Sequence, residues 1–508
     1  MIATVGSCCT RGIEGDLVQV EVDVSQGLPG FFICGLPDAS VKESKDRVRA
    51  AVKNSGFTFP LRRITVNLAP ADIKKIGSHF DLPIAVGILA ASEQIPLNSL
   101  KDVFLLGELS LQGELRKANG VLPMALGLQE KIPGALLAVP PENCREAALA
   151  KNLRITAPYN LADLVAILNK EKVLDLINCN PEQMLAAAKI NQVYPDMSEV
   201  KGQESAKRAL EIAAAGNHNI LMMGPPGSGK TMLARRLPGI LPPISTEEAI
   251  DITRIYSIAG MLKSDTGIIN FRPFRSPHHS ASTSSIVGGG QYPKPGEISL
   301  ATHGILFMDE FPEFHRDVIE ALRQPLEEHE ITVARASQTV TFPARFMLVA
   351  ASNPCPCGYF GDEDLECKCS PTQIEKYRAK ISGPVLDRVD IHVEVPRQKY
   401  LHVTKSPPGE SSEKIKKRVT KARDIQRNRY LYESFTCNSE LQGKMIEKYC
   451  QTTQAAENFI QQVFDSLNLS MRGFNKILKV ARTIADLEQS NLISENHIAE
   501  ALQMRFLW

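Results

Sequence analysis

Hydrophobic and polar residues alternate most clearly near the start of the chain. Val18, Val20, Val22 and Val24 are separated by Gln19, Glu21 and Asp23. A period of two is the mark of a half-buried strand, because successive side chains point to opposite faces. Over Ser40–Asn54 the period lengthens, and Val41, Val48, Ala51 and Val52 fall on one face of a predicted helix. A strand over Ile64–Leu68 and a helix over Asp81–Ala91 follow, with further strands expected at Leu111–Gly113 and Leu136–Pro140. Residues 1–169 therefore read as one α/β domain with its own core. Residues 170–197, with Pro181, Pro195 and a short Ala-rich helix between them, read as a linker. From 198 to 400 strands and helices alternate in the manner of a parallel sheet. The Lys-Ser-Pro-Pro-Gly-Glu-Ser-Ser run at 405–412 has turn composition, and 401–508 is otherwise helical in pattern, with Ser494 expected to cap the last helix.

Length agrees with several domains, since 508 residues exceed what one core normally serves. The formal net charge of +1 gives no bulk attraction to nucleic acid, though a local basic surface stays open. Met1–Thr10 lacks the pattern of a secretory signal. The most apolar run, Phe80–Ala91, contains Asp81 and is shorter than the roughly 20 residues of a spanning helix. A cytoplasmic protein without a membrane partner is expected. Eleven cysteines, odd in number and mostly scattered, do not form a secreted disulfide framework.

The chemistry concentrates in the second domain. The apolar strand Asn219–Met223 runs into Gly224, Pro225, Pro226, Gly227, Ser228, Gly229, Lys230 and Thr231, followed by a predicted helix over Met232–Leu237. This is the phosphate-loop pattern in its strand–loop–helix setting. The glycines let backbone N–H groups approach phosphate oxygens, Lys230 supplies a charge to the β- and γ-phosphates, and the Thr231 hydroxyl ligates Mg²⁺. A second strand, Ile305–Met308, ends in Asp309 and Glu310. Asp309 is placed to hold Mg²⁺ through water and Glu310 to take a proton from the attacking water. Alone, such a pair reads equally as a surface turn; about 80 residues after a phosphate loop it reads as catalytic. A third strand, Phe346–Ala351, ends at Asn353, which either orients that water or caps the turn before Pro354.

Several runs carry a resemblance. Val200–Gln203, the phosphate loop, Phe274–His279, Gly288–Gly290, Pro295–Ser299 and Phe307–Glu310 resemble the Mg-chelatase-like AAA+ proteins. Gly35–Asp38, Asn67–Pro70 and Gly77–Pro83 extend the likeness at the N-terminal end, and Ser470–Gly473 and Ala481–Asp486 at the C-terminal end. Over nearly the whole chain the likeness is to the ComM/YifB family. It implies an α/β AAA+ P-loop core between an N-terminal Lon-protease-like α/β domain and a C-terminal helical lid. It also implies ATP and Mg²⁺ as cofactors, a homo-hexameric ring, and action on single-stranded or branched DNA as a branch-migration helicase in natural transformation. Arg388 resembles an arginine finger reaching a neighbour's ATP, and Arg472 a sensor-2 arginine contacting the γ-phosphate from the lid. Either would stabilise charge on the transferred phosphoryl group; each also reads as a surface ion pair.

Two other functional classes compete. A chelatase-like ATPase that remodels a protein partner fits the core but not the N-terminal domain. An ATP-dependent protease would need a serine–lysine pair; Asp81 stands near the expected serine and Lys117 is out of register, with Ser78 a nearby hydroxyl. A binding or assembly role is therefore expected for that domain. Cys355, Cys357, Cys367 and Cys369 form C-x-C…C-x-C, a candidate structural Zn²⁺ site whose one-residue spacing is tighter than usual; a metal-free or redox-active loop is the other reading. The pair His278 and His279 is assigned to a loop facing DNA or the pore. DNA-tracking candidates are 275–295, the hairpin 331–342 with Arg335, and the basic run 413–429, which reads equally as a solvated lid helix.

Overall fold

The computed structural model describes residues 1–187, 193–263, 266–335, 338–362, 364–398, 409–467 and 470–505. Half of the expected linker run at 405–412 lies outside them, as does the boundary at 400/401. The chain forms two compact units. One comprises Met1–Lys189, Ser245–Asn270 and Gln338–Thr341; the other comprises Ile190–Ile244, Phe271–Ser337 and Phe342–Trp508.

The first unit is built on a seven-stranded mixed sheet. In spatial order its strands are Gly30–Cys34, Arg63–Ala69, Glu14–Ser25, Ile2–Arg11, Val103–Leu105, Leu136–Ala138 and Arg154–Thr156. The valine alternation is a strand as expected: Val18, Val20, Val22 and Val24 are buried, while Gln19 is exposed. The helix Ala39–Asn54 opens at Asp38, whose Oδ1 accepts the Val41 N–H at 2.9 Å, the standard use of an Asp cap. Helix Asp81–Ala91 is buried along its whole length and packs on the two long antiparallel strands. Leu111–Gly113, expected as a strand, is instead the turn between the two-residue strands Glu108–Leu109 and Leu115–Arg116. Gly113, at φ +86°, donates to the Ser110 carbonyl at 2.9 Å and closes it.

The second unit holds a five-stranded parallel sheet in the order Phe274–Arg275, Ile305–Met308, Met347–Ser352, Ile220–Met223, Ile391–Glu394. The Ile220, Ile305 and Met347 strands are buried throughout, the signature of a sheet covered on both faces. The helix expected over Met232–Leu237 is two short pieces, Lys230–Ala234 and Leu237–Ile240. Pro238 breaks it, since its ring would clash with the Ala234 carbonyl and offers no N–H. The C-terminal segment is helical, with Ser412–Arg429, Lys444–Tyr449, Gln454–Leu467, Met471–Leu487 and Glu495–Gln503. At the last of these the Ser494 N–H donates to His497 Nδ1 at 3.0 Å. Among the described residues no helix is long and apolar enough to cross a membrane.

Candidate nucleotide site

Parallel strands in register bring the chemistry together. Met223 pairs with Ser352, and Met308 with Ala350, so the residues that follow each strand emerge side by side at one edge of the sheet. Ligands of parallel α/β sheets bind outside this carboxyl edge. Gly224–Thr231 follow the first strand, Asp309 and Glu310 the second, Asn353 the third.

The phosphate loop has the required curl. Gly227 and Gly229 lie at φ +77° and +98°, where a side chain would be strained. A Cβ on Gly224 would meet the Val395 carbonyl oxygen at 2.1 Å. Gln203, itself at φ +59°, braces the loop by donating to the Ser228 carbonyl at 3.2 Å and the Pro396 carbonyl at 2.7 Å. It lay in the run that carried the family likeness, but no pattern in the sequence marked it as a brace.

Lys230 Nζ is buried and donates to the carbonyls of Gly224 at 2.6 Å and Pro225 at 3.0 Å, and to Asn353 Oδ1 at 3.2 Å. Burial lowers its pKa to about 8, against the pull of Asp309 and Glu310. Thr231 Oγ1 donates to Asp309 Oδ2 at 2.6 Å. Glu310 sits at φ +51°, and its Oε2 lies 3.3 Å from His279 Nδ1. The sequence assigned His279 to a loop facing DNA or the pore; in the structure its ring stands beside the Glu310 carboxylate. The only hint was the strand Phe274–Arg275 before it, which joins the sheet beside Ile305–Met308. His278 bonds Ser280 Oγ at 2.7 Å instead.

The residues present fit a nucleotide and its metal. Ser228 Oγ is buried with no hydrogen-bond partner, the Lys230 ammonium is held in the loop by carbonyls, and a Cβ at Gly227 would meet only open space. Thr231 and Asp309 form the oxygen pair that would hold Mg²⁺.

Arg388 and Arg472 are not at this edge. Arg388 precedes the strand Ile391–Glu394, which runs parallel to Ile220–Met223 with Ile220 opposite Ile391 and Met223 opposite Glu394. Its carbonyl accepts from Asn219 Nδ2 at 3.0 Å, so it lies at the amino edge, a strand length of roughly 10 Å from the phosphate loop. Its guanidinium pairs with Glu327 and donates to the Pro384 carbonyl at 2.6 Å. Arg472 lines the same cavity of about 360 Å³, with Arg388, Lys476, Lys479 and Glu327. The structure does not bring Arg472, expected to reach the γ-phosphate from the lid, to the phosphate loop of its own chain. Its helix, Met471–Leu487, packs on helices Glu204–Gly216 and Ser412–Arg429, and Lys476 donates to the Val389 carbonyl at 3.0 Å, which holds it at the amino edge.

The other candidates are placed as follows. The four clustered cysteines converge, with their sulfur atoms all within 4.8 Å of one another. In the basic run, Arg418 is taken up by Glu211 and Glu410, Arg423 by the carbonyls of Ala214 and Ala215, and Arg429 by Asp486. Lys414 and Lys421 are exposed. Both strands of the hairpin, Glu330–Arg335 and Gln338–Pro343, are formed, but the Arg335 side chain lies outside the described residues. Ser78 and Lys117, the serine and lysine considered for a protease pair, each bond other partners. Ser78 Oγ donates to Glu108, Lys117 Nζ to the Leu262 carbonyl, and Asp81 is buried under Arg47 (2.7 Å) and Ser44 (2.5 Å).

Comparison with known proteins finds matches along most of the chain. The family described as Magnesium chelatase, subunit ChlI matches residues 196–403, its C-terminal counterpart matches 409–505, and Subunit ChlI of Mg-chelatase matches 20–143. The competence protein ComM of Haemophilus influenzae is 44% identical over 99% of this chain and 97% of its own length. The YifB protein of Salmonella typhimurium is 43% identical over 99% and 97%. A maternal DNA replication licensing factor, mcm6 of Xenopus tropicalis, is 22% identical over 41% of this chain and 25% of its own.

Proposed function

The chain belongs to the ComM/YifB family of Mg-chelatase-like AAA+ ATPases, and from that premise we propose that it is a homo-hexameric DNA motor promoting branch migration. The observation that carries the oligomeric part is the split of the site. Lys230, Thr231, Asp309, Glu310 and Asn353 gather at the carboxyl edge of the sheet, while Arg388 and Arg472 share a cavity at the amino edge. Two arginines turned away from their own nucleotide serve one held by a neighbour. Arg388 then exchanges Glu327 for the phosphoryl group, and Arg472 acts in trans beside it.

Within the site, Gly224–Thr231 wrap the phosphates and Lys230 neutralises them. Thr231 and Asp309 would hold Mg²⁺, which would supply charge neutralisation at the phosphates. Glu310 accepts the proton of the attacking water, positioned by His279, and Asn353 holds that water near the γ-phosphate.

DNA as the partner rests on similarity to a competence protein and to a DNA replication licensing factor. The work would lie in the cytoplasm, in recombination during natural transformation. The match to a magnesium chelatase subunit favours a second reading, an ATPase that remodels a protein partner. ATP-dependent strand exchange on a synthetic four-way junction separates the two. The DNA motor migrates the junction with ATP and its turnover rises with DNA; a protein whose turnover ignores DNA and leaves the junction intact is the remodeller.

A further inference from the structure

The loop after Asn353 carries four thiols that the nucleotide chemistry does not use. Cys355 and Cys357 follow the strand Met347–Ser352; Cys367 and Cys369 precede helix Pro371–Arg378, whose cap Ser370 bonds the Gln373 N–H at 3.4 Å. Chain ends ten residues apart are thus folded onto one point. Cys355 Sγ lies 3.4 Å from Cys357 Sγ and 3.7 Å from Cys367 Sγ, and the latter two are 3.6 Å apart. These are not bonded pairs, since a disulfide is about 2.0 Å long, and all four cysteines are free. They are the spacings of a metal's coordination shell: four sulfurs about 2.3 Å from a tetrahedral Zn²⁺ stand about 3.8 Å from one another.

The cluster touches the nucleotide site on two sides. Asn353, bonded to Lys230, is two residues before Cys355. Gly358, at φ +86° in the turn closed by its N–H to the Cys355 carbonyl (3.0 Å), abuts the phosphate loop, where a Cβ would meet Pro226 Cδ at 2.5 Å. We propose that Cys355, Cys357, Cys367 and Cys369 bind one Zn²⁺, and that this closed tetrathiolate holds the loop so that Asn353 and Pro226 keep their places in the nucleotide site. On binding, the thiol protons pass to solvent and four Zn–S bonds form; no oxidant is involved. With no open position, the ion does no chemistry of its own, and the cysteines are positioning residues. The positioning half rests on the nucleotide-site reading; the metal half does not.

The test uses full-length, reduced protein. We expect about one zinc per chain to survive gel filtration, and Co²⁺ substitution to give the visible absorption of a tetrahedral thiolate site. The pair Cys367→Ser, Cys369→Ser should lose both. Should that variant fail to fold, the wild-type protein stripped by chelator gives the same comparison. Without metal, kcat should fall about 10- to 100-fold, while nucleotide affinity, held by Lys230 and the loop backbone, stays within about threefold. Folded, reduced, nucleotide-binding protein that contains no zinc and takes up no Co²⁺ overturns the site, as does a mass lowered by disulfide formation. Stripped protein with wild-type kcat overturns the positioning role. Metal content is read without DNA or turnover, so a chain that holds zinc but moves no junction refutes the motor alone.

Discussion

In the proposed site nucleotide binding turns on Lys230, and its setting gives it a pH dependence. Burial holds its pKa at about 8 rather than its usual 10.5. Bound phosphates raise it again, because opposite charge favours the ammonium. Above pH 8 the free protein must therefore take up a proton to bind, and affinity falls with rising pH. At pH 9 nucleotide should bind about tenfold more weakly than at pH 7, with proton uptake visible as calorimetric heats that differ between buffers. The same shift means that the folded chain holds fewer protons than the unfolded one between pH 8 and 10.5, so this residue's contribution to stability rises with pH across that window. Equal affinity at both pH values would show that the ammonium is not the phosphate ligand. The identity of Lys230, Thr231, Asp309 and Glu310 was legible in the sequence because strand and motif are contiguous. His279 beside Glu310 was not, because 31 residues of chain separate them and only sheet pairing joins them.

At the scale of elements, the turn at Gly358 links the cysteine loop to the phosphate loop by close packing. Gly358→Ala adds a methyl group against Pro226 at a positive φ, both unfavourable, at a cost of about 1–3 kcal/mol. The expected result is a lowered midpoint in chemical denaturation together with reduced nucleotide turnover. Wild-type stability and turnover would show that the two loops do not press on each other. Local patterns read well at this scale. The period-two valines and the long helix after Asp38 formed as expected, because each buries one face and the helix has its cap at Asp38. Leu111–Gly113 did not, since three residues cannot distinguish a strand from the turn of a short hairpin. The helix after Thr231 broke at Arg235–Arg236, ahead of Pro238, a signal present in the sequence and outweighed there by the apolar pattern.

For the whole molecule, the family gives the AAA+ fold, and the proposed division of labour rests on which edge of the sheet each residue occupies. Sequence likeness pointed to Arg388 as a finger, but it could not tell which edge of the sheet Arg472 would occupy. That follows from how the C-terminal helices pack on Glu204–Gly216, a long-range contact no local pattern encodes. If these two arginines serve a neighbour's nucleotide, as proposed, an isolated chain is catalytically incomplete. An arginine finger is worth about 10³-fold or more in turnover. Glu310→Gln and Arg388→Ala should each abolish turnover on its own, the first by removing the proton acceptor and the second by removing the neighbour's charge. The most direct test mixes equal amounts of these two variants before nucleotide is added and measures ATP hydrolysis. If the site is shared between protomers, random assembly pairs an intact Glu310 with an intact Arg388 at one interface in four, so about a quarter of wild-type turnover should return. If the mixture stays as inactive as its components while assembling like the wild type, the two residues belong to one chain's site and the shared-site account is wrong.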